Sequence, residues 1–124
     1  MAEQMANRVL RFVQKPAGVH HFAVFHQFSG RFGPRALACD PRTGLLFVAR
    51  YDVAQFSSSG KGVVSVLHPD GGLVADIGDI PGPEVSGLCL SPDGTELYIT
   101  EESTRSVYVC PVPDFGLAGK LDRQ

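Results

Sequence analysis

Residues 87–101 read GLCLSPDGTELYITE. Two apolar runs, 88–90 and 97–99, flank Ser91-Pro92-Asp93-Gly94-Thr95, whose proline, aspartate and glycine each suit a tight turn. The pattern predicts a β-hairpin. It recurs without a gap 51 residues earlier, where residues 36–50 read ALACDPRTGLLFVAR. Leu37 matches Leu88, Pro41 matches Pro92 and Leu46 matches Leu97, while Cys39/Leu90, Phe47/Tyr98 and Val48/Ile99 keep apolar character. A turn and two apolar runs that fall in phase at a fixed period are a mark of repeat architectures.

Working outward, residues 7–13 (NRVLRFV) alternate apolar and polar side chains and 22–28 (FAVFHQF) are dense in phenylalanine, so both read as strands, with a loop at 15–18 between them. The earlier hairpin leads through a Ser-rich loop, 51–61, into 62–67 (GVVSVL), a turn at Pro69-Asp70-Gly71-Gly72, and 73–77 (LVADI). That completes four consecutive strands. Pro81-Gly82-Pro83 breaks the chain before the later hairpin, and 106–112 (SVYVCPV) supplies a third strand after it. Between Arg50 and Val64 lie 13 residues, against 5 between the equivalent Glu101 and Val107, so the first copy carries a loop insertion of the kind loops accept readily. No window sustains helical periodicity.

The fold expected is therefore all-β. A repeating unit of four antiparallel strands describes a propeller blade, and the chain holds a partial β-propeller of about two to two and a half blades. Residues 2–28 form the outer strands of one blade, 33–80 a complete blade, 84–112 three strands of the next, and 113–124 a polar tail. Such a piece cannot close a propeller by itself, and uncovered sheet faces and edges predict self-association.

The composition narrows the partners. Of 124 residues, 44% are hydrophobic, which supports one core-forming domain. The formal charge of −2, from 11 basic and 13 acidic residues spread along the chain, supplies no field for nucleic acid or an anionic membrane. No run approaches a membrane span and the first residues lack a secretory core, so the cytoplasm is the expected compartment. Three cysteines form no CxxC pair, and Cys39 and Cys89, inside expected inner strands, read as buried free thiols.

Taken in order, the segments ANRVLRF, VFHQFSGRFGPRALACDPRTGLLFVAR, GVVSVLHPDGGLV and GLCLSPDGTELYITEES resemble the C-terminal half of the SMP-30/gluconolactonase/LRE-like family of six-bladed propellers, to which strictosidine-synthase-like proteins are close. The resemblance covers residues 2–112. It implies a hydrolase of small lactones or esters in which a divalent cation, calcium or zinc, sits in the central channel. The family's ligands are a first-blade glutamate, which has no counterpart here, and Asn or Asp residues ahead of the innermost strands. Its P-D-G-L pattern reads Pro34-Arg35-Ala36-Leu37 here, and the equivalent position in the last blade is Ser86. Arginine cannot ligate a cation and a serine hydroxyl is a weak ligand. The resemblance thus carries the fold further than the catalysis.

Arg35 and Ser86 are the leading channel-facing candidates. Arg35 would hold an anionic substrate group or replace the metal's charge, or else pair with a neighbouring carboxylate. Glu3 and Glu101 occupy matching positions, since EQMANRVLR aligns with EESTRSVYV, and each is either a channel acid or a solvated loop carboxylate. Asp52, in the inserted loop, has the same two readings. His20 and His21 are adjacent, so a regular strand points them to opposite faces, and His26 offers no ligand spacing with either. Residues 57–62 (SSSGKG) lack the full phosphate-loop pattern, and no nucleophile elbow is present.

Overall fold

The computed structural model describes residues 1–14, 18, 20–30 and 32–113; residues 15–17 of the loop expected at 15–18 and residues 114–124 of the tail expected at 113–124 lie outside the described residues. Ten strands follow one another: β1 (Ala2–Glu3), β2 (Arg8–Gln14), β3 (His20–Gln27), β4 (Gly33–Cys39), β5 (Leu46–Tyr51), β6 (Gly62–Leu67), β7 (Leu73–Ile80), β8 (Val85–Leu90), β9 (Glu96–Glu101) and β10 (Ser106–Pro111). A 3₁₀ turn, Ala54–Phe56, sits in the inserted loop. Among the described residues no helix is long and apolar enough to cross a membrane.

The strands form three antiparallel sheets in the orders β1-β2-β3, β4-β5-β6-β7 and β8-β9-β10. Every connection inside a sheet joins sequential neighbours, as a propeller blade requires. The molecule is an all-β partial propeller. The first sheet gains a strand that alternation could not reveal, because β1 is only two residues long, pairing Ala2 with Val9 and Glu3 with Arg8.

The 51-residue repeat survives as register. Leu37 pairs with Val48 across β4 and β5, and Leu88 pairs with Ile99 across β8 and β9. Both turns use a glycine in the left-handed region, Gly44 and Gly94, each at φ 74. They close differently, however. Gly44 N–H donates to Asp40 O, four residues back, whereas Gly94 N–H donates to Ser91 O, three residues back. The side chain of Asp40 accepts from Arg42 N–H at 2.9 Å, and Asp93 accepts from Thr95 N–H at 3.1 Å, so an aspartate braces each turn locally.

The core lies between sheets, in two layers. Val9 and Phe28 of the first sheet meet Val48 and Leu67 of the second, while the opposite face of the second sheet sends Phe47, Ala49, Val64 and Val66 against Val85, Leu97 and Ile99 of the third. Successive side chains of β5 therefore enter different layers, which is why its sequence is apolar at every position from Leu46 to Ala49. Burying Phe47 completely contributes on the order of 1.5–3 kcal/mol.

The thiols correct an expectation. Cys39 and Cys89 are exposed rather than buried, and only Cys110 is half-buried. Leu88 and Leu90, its neighbours on β8, pack against the core, so alternation turns Cys89 to the uncovered face of the third sheet. Cys39 opens instead on an apolar groove of about 290 Å³ between the first two sheets, shared with Val9, Phe25, Leu37 and Leu46. An inner strand buries a thiol only where a neighbouring sheet packs closely over it, and Cys89 has no such sheet while Cys39 meets a gap.

Candidate active site

The ends of β5 and β9 and the beginnings of β4 and β8 meet at one end of the sheets, and the polar residues gather there. The β4–β5 ladder slips between Pro34 and Ala36, and the β8–β9 ladder slips between Val85 and Gly87. Each slip is a bulge whose extra residue is a sequence candidate, Arg35 in one sheet and Ser86 in the other. A bulge re-aims its side chain away from the regular alternation. Equivalent sequence positions thus hold equivalent backbone geometry.

What the two side chains do differs. Arg35 Nη2 donates to Glu102 Oε1 at 3.4 Å, and its guanidinium lies 4.4 Å from the centre of the Tyr51 ring. Tyr51 closes the group by donating its hydroxyl to Glu102 Oε2 at 3.2 Å. Burial, then the hydrogen bond to the Glu102 carboxylate and its charge, raise the Tyr51 phenol above its ordinary value. Ser86 is turned inward on its own sheet, its hydroxyl donating to the Thr100 carbonyl at 3.3 Å and lying 3.0 Å from Thr100 Oγ1. Arg35 and Ser86 hold matching places without touching a common partner.

Glu101 is buried, at 2% exposure, and its carboxylate is saturated. It accepts from Glu84 N–H at 2.7 Å, from Thr104 N–H at 2.6 Å, and from the Ser103 hydroxyl at 2.7 Å. Burial pushes this carboxyl up, but the donors from Ser103, Thr104 and Glu84 outweigh it and hold the group below its ordinary value. Neither a solvated loop carboxylate nor an open acid describes it. It ties the 102–105 turn to the segment ahead of β8, and a Cβ on Gly82 would collide with it.

Glu3 ends β1 as Glu101 ends β9. The turns that follow are alike, with Asn7 and Arg105 both left-handed, at φ 57 and 54, and each donating to the carbonyl three residues back. The chemistry again diverges, because Glu3 pairs in a fork with Arg8 through two contacts of 3.3 Å. Asp52 is buried beside the same end, where its N–H donates to Pro83 O and its carboxylate accepts from Val53 N–H at 2.9 Å.

The structure therefore assembles Arg35, Tyr51 and Glu102, of which only Arg35 was expected. The missing two carried a signal, since Tyr51 and Glu102 are themselves 51 residues apart and occupy one repeat position. His26 is used between sheets, Nδ1 lying 2.8 Å from Gly71 O in the turn between β6 and β7, with its ring against Phe28. Among the described residues no three His, Cys, Asp or Glu side chains gather to hold a metal ion.

Comparison with solved structures gives a likeness over most of the chain. A gluconolactonase from Xanthomonas campestris aligns with 82% of this chain at 25% identity and a TM-score of 0.57. The chain spans only 29% of that protein's length. No protein-family model and no curated protein matches. By its ordered segments and by this fold, the chain is a partial β-propeller that resembles the SMP-30/gluconolactonase/LRE-like family.

Proposed function

We propose that the chain is of lactone- and ester-hydrolase lineage, directed at a small lactone or ester, and that it hydrolyses little or nothing on its own. The likeness to a gluconolactonase carries this reading. The polar group at the shared end of the sheets supports the second half of it. A divalent cation of the family's kind wants carboxylate and amide oxygens. The residues present do not fit one. At the matching positions the chain offers a guanidinium already engaged by Glu102 and a hydroxyl turned onto Thr100, while the carboxylate of Glu101 is spent on backbone donors. No step is therefore assigned to a metal. Arg35 is the residue able to hold a carbonyl or carboxylate oxygen of a ligand at this end, in exchange for its contact with Glu102.

The test is a pH-indicator assay on gluconolactone, with and without calcium or zinc, beside thermal melting in the same solutions. Background hydrolysis and an unmoved melting temperature are expected. Cation-stimulated turnover, or a melting temperature raised by either ion, would overturn the reading that the positions of Arg35 and Ser86 hold no cation.

A second reading, an interaction or assembly module without catalysis, is favoured by the apolar side chains exposed on the two end sheets. In both readings the balanced charge argues against nucleic-acid and anionic-membrane partners.

A further inference from the structure

We propose that a second copy of this chain covers both open sheet faces, the two copies closing head to tail into a ring of six sheets. The repeat itself identifies the faces. In the second sheet, Phe47, Val64 and Val66 point forward onto the third sheet and are fully buried. Phe47 pairs with Val66 and Ala49 with Val64, as Tyr98 pairs with Val109 and Thr100 with Val107. Tyr98, Val107 and Val109 thus hold the same ladder positions one sheet later, where they are 38%, 64% and 52% exposed.

Within the chain each forward face is covered in one way, by the backward face of the following sheet. The forward residues Val9 and Phe28 are covered by Val48 and Leu67, and Phe47 and Val66 are covered by Leu97 and Ile99. Among the described residues one backward face has no sheet ahead of it. Phe12 lies three residues beyond the forward-facing Val9, hence on the other side of the first sheet, and pairs with Phe22. Their rings stand 5.6 Å apart at 48% and 66% exposure, with Val24 on the same face.

Setting the forward face of the third sheet on the backward face of another copy's first sheet continues an interface the chain already builds twice. A contact of this kind, between two different surfaces, closes into a ring when the rotation per step permits. Propellers close at 4 to 8 blades. The described residues of each chain form three sheets, so two copies bring six and satisfy both open faces of both copies.

Sedimentation velocity of the whole chain is the test, with thiol alkylation as an internal probe. The expected result is a dimer at micromolar concentration. Val107→Lys and Phe22→Lys, both at exposed positions, each lose that association when alone and recover a weaker one when mixed in equal amounts, since one intact contact remains. Alkylation of Cys89, on the forward face of the third sheet, slows several-fold as the dimer forms, while Cys39, in the groove between the first two sheets, keeps its rate. A wild-type monomer, a ladder of species beyond the dimer, either variant associating alone as the wild type does, or Cys89 staying as reactive as Cys39 would each overturn the proposal. The alkylation ratio is read on the wild-type chain and stands even if a variant misfolds.

Discussion

Tyr51 donates its hydroxyl to Glu102 across 3.2 Å, although the two residues hold the same repeat position in successive sheets. A repeat usually sets equivalent residues side by side doing equivalent work. Here one serves as donor and the other as acceptor, and Arg35 stacks on the first while it pairs with the second.

That arrangement sets an alkaline titration. The Tyr51 phenol ionises above the ordinary value of 10.0, through burial first and then Glu102. A raised folded value means that its contribution to stability is complete below the ordinary tyrosine value and is lost as pH rises through the folded one. Ultraviolet difference titration of the wild type against Tyr51→Phe isolates this phenol. In Glu102→Gln its midpoint moves back down, and an unchanged midpoint would show that burial alone sets it.

Truncating Glu101 removes the acceptor for two backbone N–H groups and a hydroxyl at once. Glu101→Ala should destabilise by about 2–4 kcal/mol, the range expected when buried donors lose their partner. Gly82→Ala, whose new methyl meets that carboxylate, destabilises the wild type but costs less in the Glu101→Ala background. Urea denaturation of the two single variants and the double variant measures the coupling, and strict additivity would disprove the contact.

Acid unfolding follows from depressed carboxyls, Asp93 and Glu101 among them. Asp93, accepting from Ser91 and Thr95 in the exposed turn, is held down to about 2, and Glu101 lies below its ordinary 4.5. A depressed folded value contributes stability above the unfolded one and loses it as pH falls through the folded one. Stability therefore drops between roughly pH 4.5 and 2. Chemical denaturation across that window should show a shallower decline in Asp93→Asn and in Glu101→Gln than in the wild type.

Phe47 and Tyr98 test whether covering, and not residue type, decides the value of a repeat position. Phe47→Ala should cost about 3–5 kcal/mol, as for a large aromatic removed from a core. Tyr98→Ala should change the stability of the dilute, unassociated chain by no more than about 0.5 kcal/mol. Equal losses at the two positions would contradict the exposure difference of 0% against 38%.

The hairpins were legible because a two-residue alternation, a proline-containing turn and a fixed offset all speak of local geometry. β1 escaped because two residues cannot display a period. The exposure of Cys39 and Cys89 escaped for a different reason: strand character says which way a side chain points, and only the neighbouring sheet decides whether anything lies there. The candidate site was half legible. Arg35 and Ser86 stood out as departures from a pattern, and the paired bulges at those positions now give that equivalence a backbone cause. Glu102 and Tyr51 acquire their meaning from a contact between sheets, which the offset of 51 hinted at and local pattern could not express.

The bulges at Arg35 and Ser86 have an evolutionary consequence. Each residue sits outside the regular pairing of its ladder, so its side chain can be exchanged with little disturbance of the strands around it. Either position can thus exchange its side chain, and with it the polar chemistry of this end, one codon at a time while the scaffold is inherited intact.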